Sequence, residues 1–164
     1  QLGALQGIAQ AAGRRLQHVT FHGALGNMCF ADADLAATLM AAIKAFDAGL
    51  TVIAPPMTEM EKAAEQAGLP VKRVVFADRA YDDRGLLVSR KLPGAVIHDP
   101  EAVIQRVLGM VQDGAITSQS GKRMPLAIDS VLVHGDTPGS ASLASLVRER
   151  LQHAGVQVRP LSQR

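Results

Sequence analysis

The chain has 164 residues, 48% of them hydrophobic, which is enough for one domain (residues 1–164) with a real core; aromatics make up only 3% and tryptophan is absent, so that core must come from Ala, Leu, Val, Ile and Met. Lys and Arg number 17 against 15 Asp and Glu, and no basic run is interleaved with aromatics, which argues against a nucleic-acid partner. Cys29 is the only cysteine, excluding an intrachain disulfide, and no secretory leader or membrane-length apolar stretch is visible, so a cytoplasmic protein is the expectation.

In chain order, the spacing of apolar residues predicts helices at about 3–14, 32–48, 57–67, 99–113 and 139–154, with Asp32, Asp99 and Ser140 as N-caps. Ala12-Gly13, Ala48-Gly49, Ala67-Gly68 and Ala154-Gly155 each close a helical stretch shortly before an apolar run. Those runs predict strands at 18–21, 50–54, 74–77 and 131–133, with 156–158 as a more polar edge strand. Strand and helix alternate, so the expected fold is α/β with a mainly parallel sheet. Two segments break the rhythm. Residues 79–98 are too long for an ordinary βα connection and predict an active-site loop, and residues 115–128 predict a hairpin or an extended excursion about Ser120-Gly121. The chain opens at Gln1 inside a helical pattern without a methionine, so an N-terminal part is expected to be missing from it.

Chemistry gathers at the carboxyl ends of the predicted strands, where α/β folds bind their ligands. The first ends in His22-Gly23, the second in Pro55-Pro56, the third in Asp78-Arg79, and the last in "VLVHGD", Val131 to Asp136. The expectation is that His22, Asp78, His134 and Asp136 share one rim. Each also has a structural reading: a hydrogen-bonded turn histidine, an Asp78–Arg79 ion pair, an Asp136 that caps the helix begun by Thr137-Pro138-Gly139. Asp82-Asp83-Arg84-Gly85 reads as a solvated turn and Cys29 as packing.

The stretches "HVTFHGALGN" (18–27), "VFADRAYDDRGLLVSRKLPGAVIHD" (75–99) and "VLVHGD" (131–136) resemble, in that order, the signature blocks of the LamB/YcsF family, the A subunits of prokaryotic ATP-dependent 5-oxoprolinase. The resemblance implies a seven-stranded β/α barrel related in shape to sugar and polysaccharide deacetylases. It also implies ATP-dependent opening of 5-oxoproline to L-glutamate in company with subunits B and C. The family's acidic first strand and its Cys-Gly-Phe-His-Ala-Gly-Asp block have no counterpart here, and Thr20, Phe21 and Gly26 replace a lysine, a proline and a tyrosine of its first block. A β/α barrel takes about 200 residues or more, so an incomplete barrel is expected, whose open sheet edges would favour self-association into a homo-oligomer.

Breaking a lactam requires an activated nucleophile, an acid for the leaving nitrogen and donors for the developing oxyanion. On that chemistry His22 and His134 are the acid–base candidates, and Asp78 or Asp136 would orient a histidine or a metal. Arg79 and Arg90 would bind a substrate carboxylate or an acyl phosphate, with Tyr81 and Asn27 adding hydrogen bonds. ATP use is implied by the resemblance alone, because no Gly-x4-Gly-Lys-Ser/Thr segment exists. Two alternatives stand beside this reading: a metal-dependent hydrolase that uses the histidines and aspartates as ligands of a divalent ion, and a non-catalytic, partner-binding subunit.

Overall fold

The structure is a computed structural model and describes residues 1–136 and 138–161; Thr137 lies outside them. The described residues form two compact units, Gln1–Lys72 and Arg73 onward.

In the first unit the chain runs α1 (Leu2–Ala11), β1 (His18–Val19), α2 (Gly23–Cys29), α3 (Ala33–Phe46), β2 (Thr51–Ala54) and α4 (Glu59–Gln66). β1 and β2 pair in parallel, His18 opposite Thr51 and Val19 opposite Val52. Val52 and Ala54 are buried on alternate positions of β2, and Ala36, Met40 and Ile43 of α3 and Met60, Ala63 and Ala64 of α4 supply the helical share of the core. As expected, Asp32 caps α3, accepting from the Leu35 amide at 3.0 Å. Gly68, at φ 71°, reverses the chain after α4 in a conformation that a Cβ disfavours.

α2 was not expected. Its seven residues include Gly23 and Gly26, poor helix formers, so propensity argues against it and only packing holds it. A Cβ at residue 26 would stand 2.6 Å from the Phe21 carbonyl oxygen. The glycine therefore lets α2 close onto the chain leaving β1.

The second unit is built on β3 (Val71–Phe76) and β6 (Ser130–Leu132), again parallel, with Val74 opposite Ser130 and Phe76 opposite Leu132. Between them lie α5 (Pro100–Asp113) and the antiparallel hairpin β4 (Ala115–Thr117) and β5 (Arg123–Pro125), so that of the two forms the sequence allows for 115–128 the hairpin is the one adopted. α6 (Ser140–His153) follows β6 and packs on α5. Val103, Ile104 and Val107 of α5 meet Val147 and Leu151 of α6 and Ala77, while Val75, Phe76, Tyr81, Met110, Ile116 and Met124 form a neighbouring cluster.

Two expectations are corrected here. Ser140 is the first helical residue of α6 rather than its N-cap; Gly139 holds that place at φ 83°, and the Ser140 hydroxyl bonds the Gly135 carbonyl instead. No strand forms at 156–158, because a strand exists only through its partner's hydrogen bonds and no described strand bonds to this segment.

Candidate active site

The site is set by strand register. Phe76 lies opposite Leu132, and the Ala77 amide donates to the Leu132 carbonyl at 2.9 Å, so two residues further along each chain Asp78 meets His134. His134 Nδ1 stands 2.8 Å from Asp78 Oδ1 and 2.9 Å from Oδ2. Both side chains are largely buried, at 17% and 10% exposure. A carboxylate bound this way accepts from Nδ1–H, so the neutral ring keeps Nε2 free as a proton acceptor. The Phe76 ring stacks on the imidazole at 5.6 Å and 22° and holds its plane.

Beside the pair lies a cavity of about 230 Å³, walled by Asp78, His134, Ile97, His98, Ser140 and Leu143 among others. His98 was missed in the sequence. Its one signal is its place at the end of the long 79–98 loop, directly before the Asp99 cap of α5.

The other predicted residues divide. Asp136 does not orient His134; it is exposed beyond the strand end and faces Arg90, with Nη1 3.9 Å from Oδ2. That contact is weak, being long and solvated on both sides. Tyr81 is corrected from substrate binding to core: it is 1% exposed, and its hydroxyl accepts from the Phe76 amide at 2.8 Å. The Arg106 guanidinium lies 5.3 Å over its ring. Arg79 is likewise buried, and its guanidinium is engaged by the Ala95 carbonyl (Nε, 3.3 Å) and the Val88 carbonyl (Nη2, 2.8 Å) rather than turned to a ligand. The expected Asp78–Arg79 ion pair gives way to these carbonyls and to His134. His22 and Asn27 belong to the first unit, where His22 is exposed at the N-cap of α2 without a side-chain capping bond and Asn27 is exposed on the helix. Cys29 is fully buried. In the turn at 82–85, the Asp82 carboxylate accepts from the Arg84 and Leu86 amides. Asp83 accepts from the hydroxyls of Ser118 at 2.5 Å and Ser120 at 2.6 Å, which fastens the turn to the β4–β5 hairpin and holds its carboxyl below the usual range.

Burial pushes the Tyr81 hydroxyl up to about 12. The native state then holds this proton more tightly than the unfolded chain, where tyrosine titrates near pH 10. The corresponding stability is complete below about pH 10 and is lost as pH rises toward about 12, on the order of 2–3 kcal/mol in all. Tyr81 is the chain's only tyrosine. An alkaline titration of phenolate absorbance should therefore show one transition, coincident with unfolding or close to pH 12; phenolate appearing near pH 10 in folded protein would contradict the burial.

A strand-end histidine, oriented by a buried carboxylate and opening on a small cavity, has the geometry of a candidate acid–base pair on an α/β scaffold. The LamB/YcsF family pattern matches residues 1–164, and the chain belongs to that family. It is 48% identical over 99% of its length to the 5-oxoprolinase A subunit of Rhodopseudomonas palustris (strain BisB18), of which it covers 64%. To one of the 5-oxoprolinase A subunits of Ralstonia nicotianae it is 49% identical, covering 99% of this chain and 63% of that protein. The crystal structure of a lactam utilization protein from Thermus thermophilus superposes with a TM-score of 0.87 at 39% identity, covering 97% of this chain and 63% of that one. The chain thus spans just under two thirds of the length of these relatives. The α/β fold with mainly parallel pairing is that of the family.

Among the described residues no group of three or more His, Cys, Asp or Glu side chains gathers that could hold a metal ion, and no helix is long and apolar enough to cross a membrane.

Proposed function

We propose that the protein to which this chain belongs is a 5-oxoprolinase A subunit, a hydrolase that opens the lactam of 5-oxoproline to L-glutamate with ATP, together with subunits B and C. The observation that carries the reading is the His134–Asp78 pair on the wall of the cavity; the names of its relatives agree with it.

An amide is a poor electrophile, so the nucleophile must be deprotonated as it attacks and the leaving nitrogen protonated as the ring opens. His134 Nε2 suits both tasks in turn: it takes the proton from the attacking oxygen and returns it to nitrogen, while Asp78 stabilises the imidazolium between the two steps. His98, which lines the same cavity, can donate a hydrogen bond to the carbonyl oxygen as charge develops there. Arg90, held only loosely by Asp136, is free to exchange that partner for the substrate carboxylate. ATP, as phosphoryl donor, would supply the driving force for the ring opening. No residue of this chain is assigned to it: the sequence lacks a phosphate-cradling loop of the Gly-x4-Gly-Lys-Ser/Thr kind, and Ser120-Gly121-Lys122 is spent on the tip of the β4–β5 hairpin.

The test is reconstitution of the full-length polypeptide with subunits B and C, followed by measurement of glutamate released from 5-oxoproline. ATP-dependent release is expected. A folded, assembled complex that releases none would replace this reading with that of a non-catalytic subunit.

A further inference from the structure

Arg79 is buried at 5% exposure, and both of its side-chain hydrogen bonds go to backbone carbonyls of the long loop. Burying a guanidinium is unfavourable unless its donors are satisfied, and an apolar side chain would fill the same space without that penalty. What only the arginine does is bond two carbonyls at once through a rigid planar fork; a lysine offers a single point of charge. The two carbonyls belong to Val88 and Ala95, which flank residues 89–94, the turn that carries Arg90. One guanidinium therefore grips both ends of that turn.

The backbone on either side repeats the pattern. Residues 78–81 run between two arms of the loop: the Ile97 amide donates to the Asp78 carbonyl at 2.9 Å, the Ala80 amide to the Ala95 carbonyl at 3.0 Å, and the Val88 amide to the Ala80 carbonyl at 3.0 Å. From the other side Arg106 Nη2 of α5 donates to the Arg79 carbonyl at 2.9 Å. The arm ending in Ile97 and His98 lines the cavity that Asp78 and His134 also line.

We propose that Arg79 is a positioning residue of this site: by clamping the Val88 and Ala95 carbonyls it sets where His98 stands beside the Asp78–His134 pair and where Arg90 stands at the strand-end rim. The inference rests on reading the His134 cavity as the active site. Arg79 acts through these residues and touches no substrate itself.

The experiment compares wild type with Arg79→Lys and Arg79→Gln in the full-length protein, by amide hydrogen exchange and, with subunits B and C, by kinetics. The variants should exchange the Ala80, Val88 and Ile97 amides roughly tenfold faster or more, while the Ala77 amide, bonded between β3 and β6, keeps wild-type protection. KM for 5-oxoproline should rise about tenfold because Arg90 is displaced from the substrate carboxylate. The kcat should fall as well because His98 is displaced from the developing charge, but by less than removal of His134 itself causes, since His134 and Asp78 remain paired. Unchanged exchange at the three loop amides overturns the proposal, and so does local opening with unchanged kinetics. Exchange accelerated throughout the second unit, Ala77 included, overturns it as well, since Arg79 would then be a general stability residue. Should neither variant fold, wild-type exchange decides: the Val88 and Ile97 amides must be protected together and well above those of residues 90–92, and equal exchange across 88–97 refutes the clamp. If the reconstituted wild type is inactive, the active-site reading fails on its own, and the exchange data still judge the clamp.

Discussion

On the proposed function, replacing His134 by alanine in the full-length protein, assembled with subunits B and C, is expected to lower 5-oxoproline opening by about 10²–10⁴-fold, the range of a general acid–base group. The pairing with Asp78 complicates that variant. Alanine leaves a carboxylate that is only 10% exposed without its donor, and an unsatisfied buried polar group costs about 1–3 kcal/mol, more for a charge. The companion variant is His134→Gln, whose amide can still donate to Asp78 but cannot take up a proton at neutral pH. Both should lose turnover alike, while the glutamine protein keeps more of the wild-type thermal stability. Should His134→Gln remain within about tenfold of wild type, the loss would be too small for such a role, and His134 would be a structural residue at the end of β6.

Asp78→Asn tests the other half of the pair. The carboxylate accepts from Nδ1–H through two oxygens at 2.8 and 2.9 Å. An asparagine presents one oxygen and one NH₂ at those places, and the NH₂ donates to Nδ1, which moves the imidazole proton to Nε2 and removes the base. The substitution also withdraws the negative charge that stabilises the imidazolium. Where the same arrangement has been altered in this way on another scaffold, kcat falls by about 10⁴; a loss of about 10²–10⁴ in kcat is expected here, with KM little changed. A purely structural carboxylate would show its loss in the melting temperature instead. Wild-type kcat in Asp78→Asn, with or without a lowered melting temperature, would remove Asp78 from the mechanism.

Much of the scaffold was legible because it is encoded locally. Asp32 and Asp99 announce the starts of α3 and α5, each accepting from an amide three residues on, and Ser120-Gly121 marks the hairpin tip. The apolar runs at 50–54, 74–77 and 131–133 place β2, β3 and β6 to within a few residues. Where local preference misled, tertiary contact had decided the matter. α2 forms despite two glycines because Gly26 admits the Phe21 carbonyl. Residues 156–158 have the alternation of a strand but no described partner ladder.

The site divides along the same line. By itself the sequence determined which chemical groups stand at the strand ends, Asp78 after β3 and His134 after β6, because a buried parallel strand must be apolar and its polarity returns where the sheet ends. Tertiary structure decided which of those groups meet. The β3–β6 register joins residues separated by a helix and a hairpin, and carries Asp78 to His134 while leaving Asp136 with Arg90. It also decided that Tyr81 and Arg79, polar residues that look available in a loop, turn inward to bond the Phe76 amide and the Val88 and Ala95 carbonyls. The direction of a side chain in an irregular segment follows from what packs against it, and long-range hydrogen bonding leaves no local pattern of residues to read.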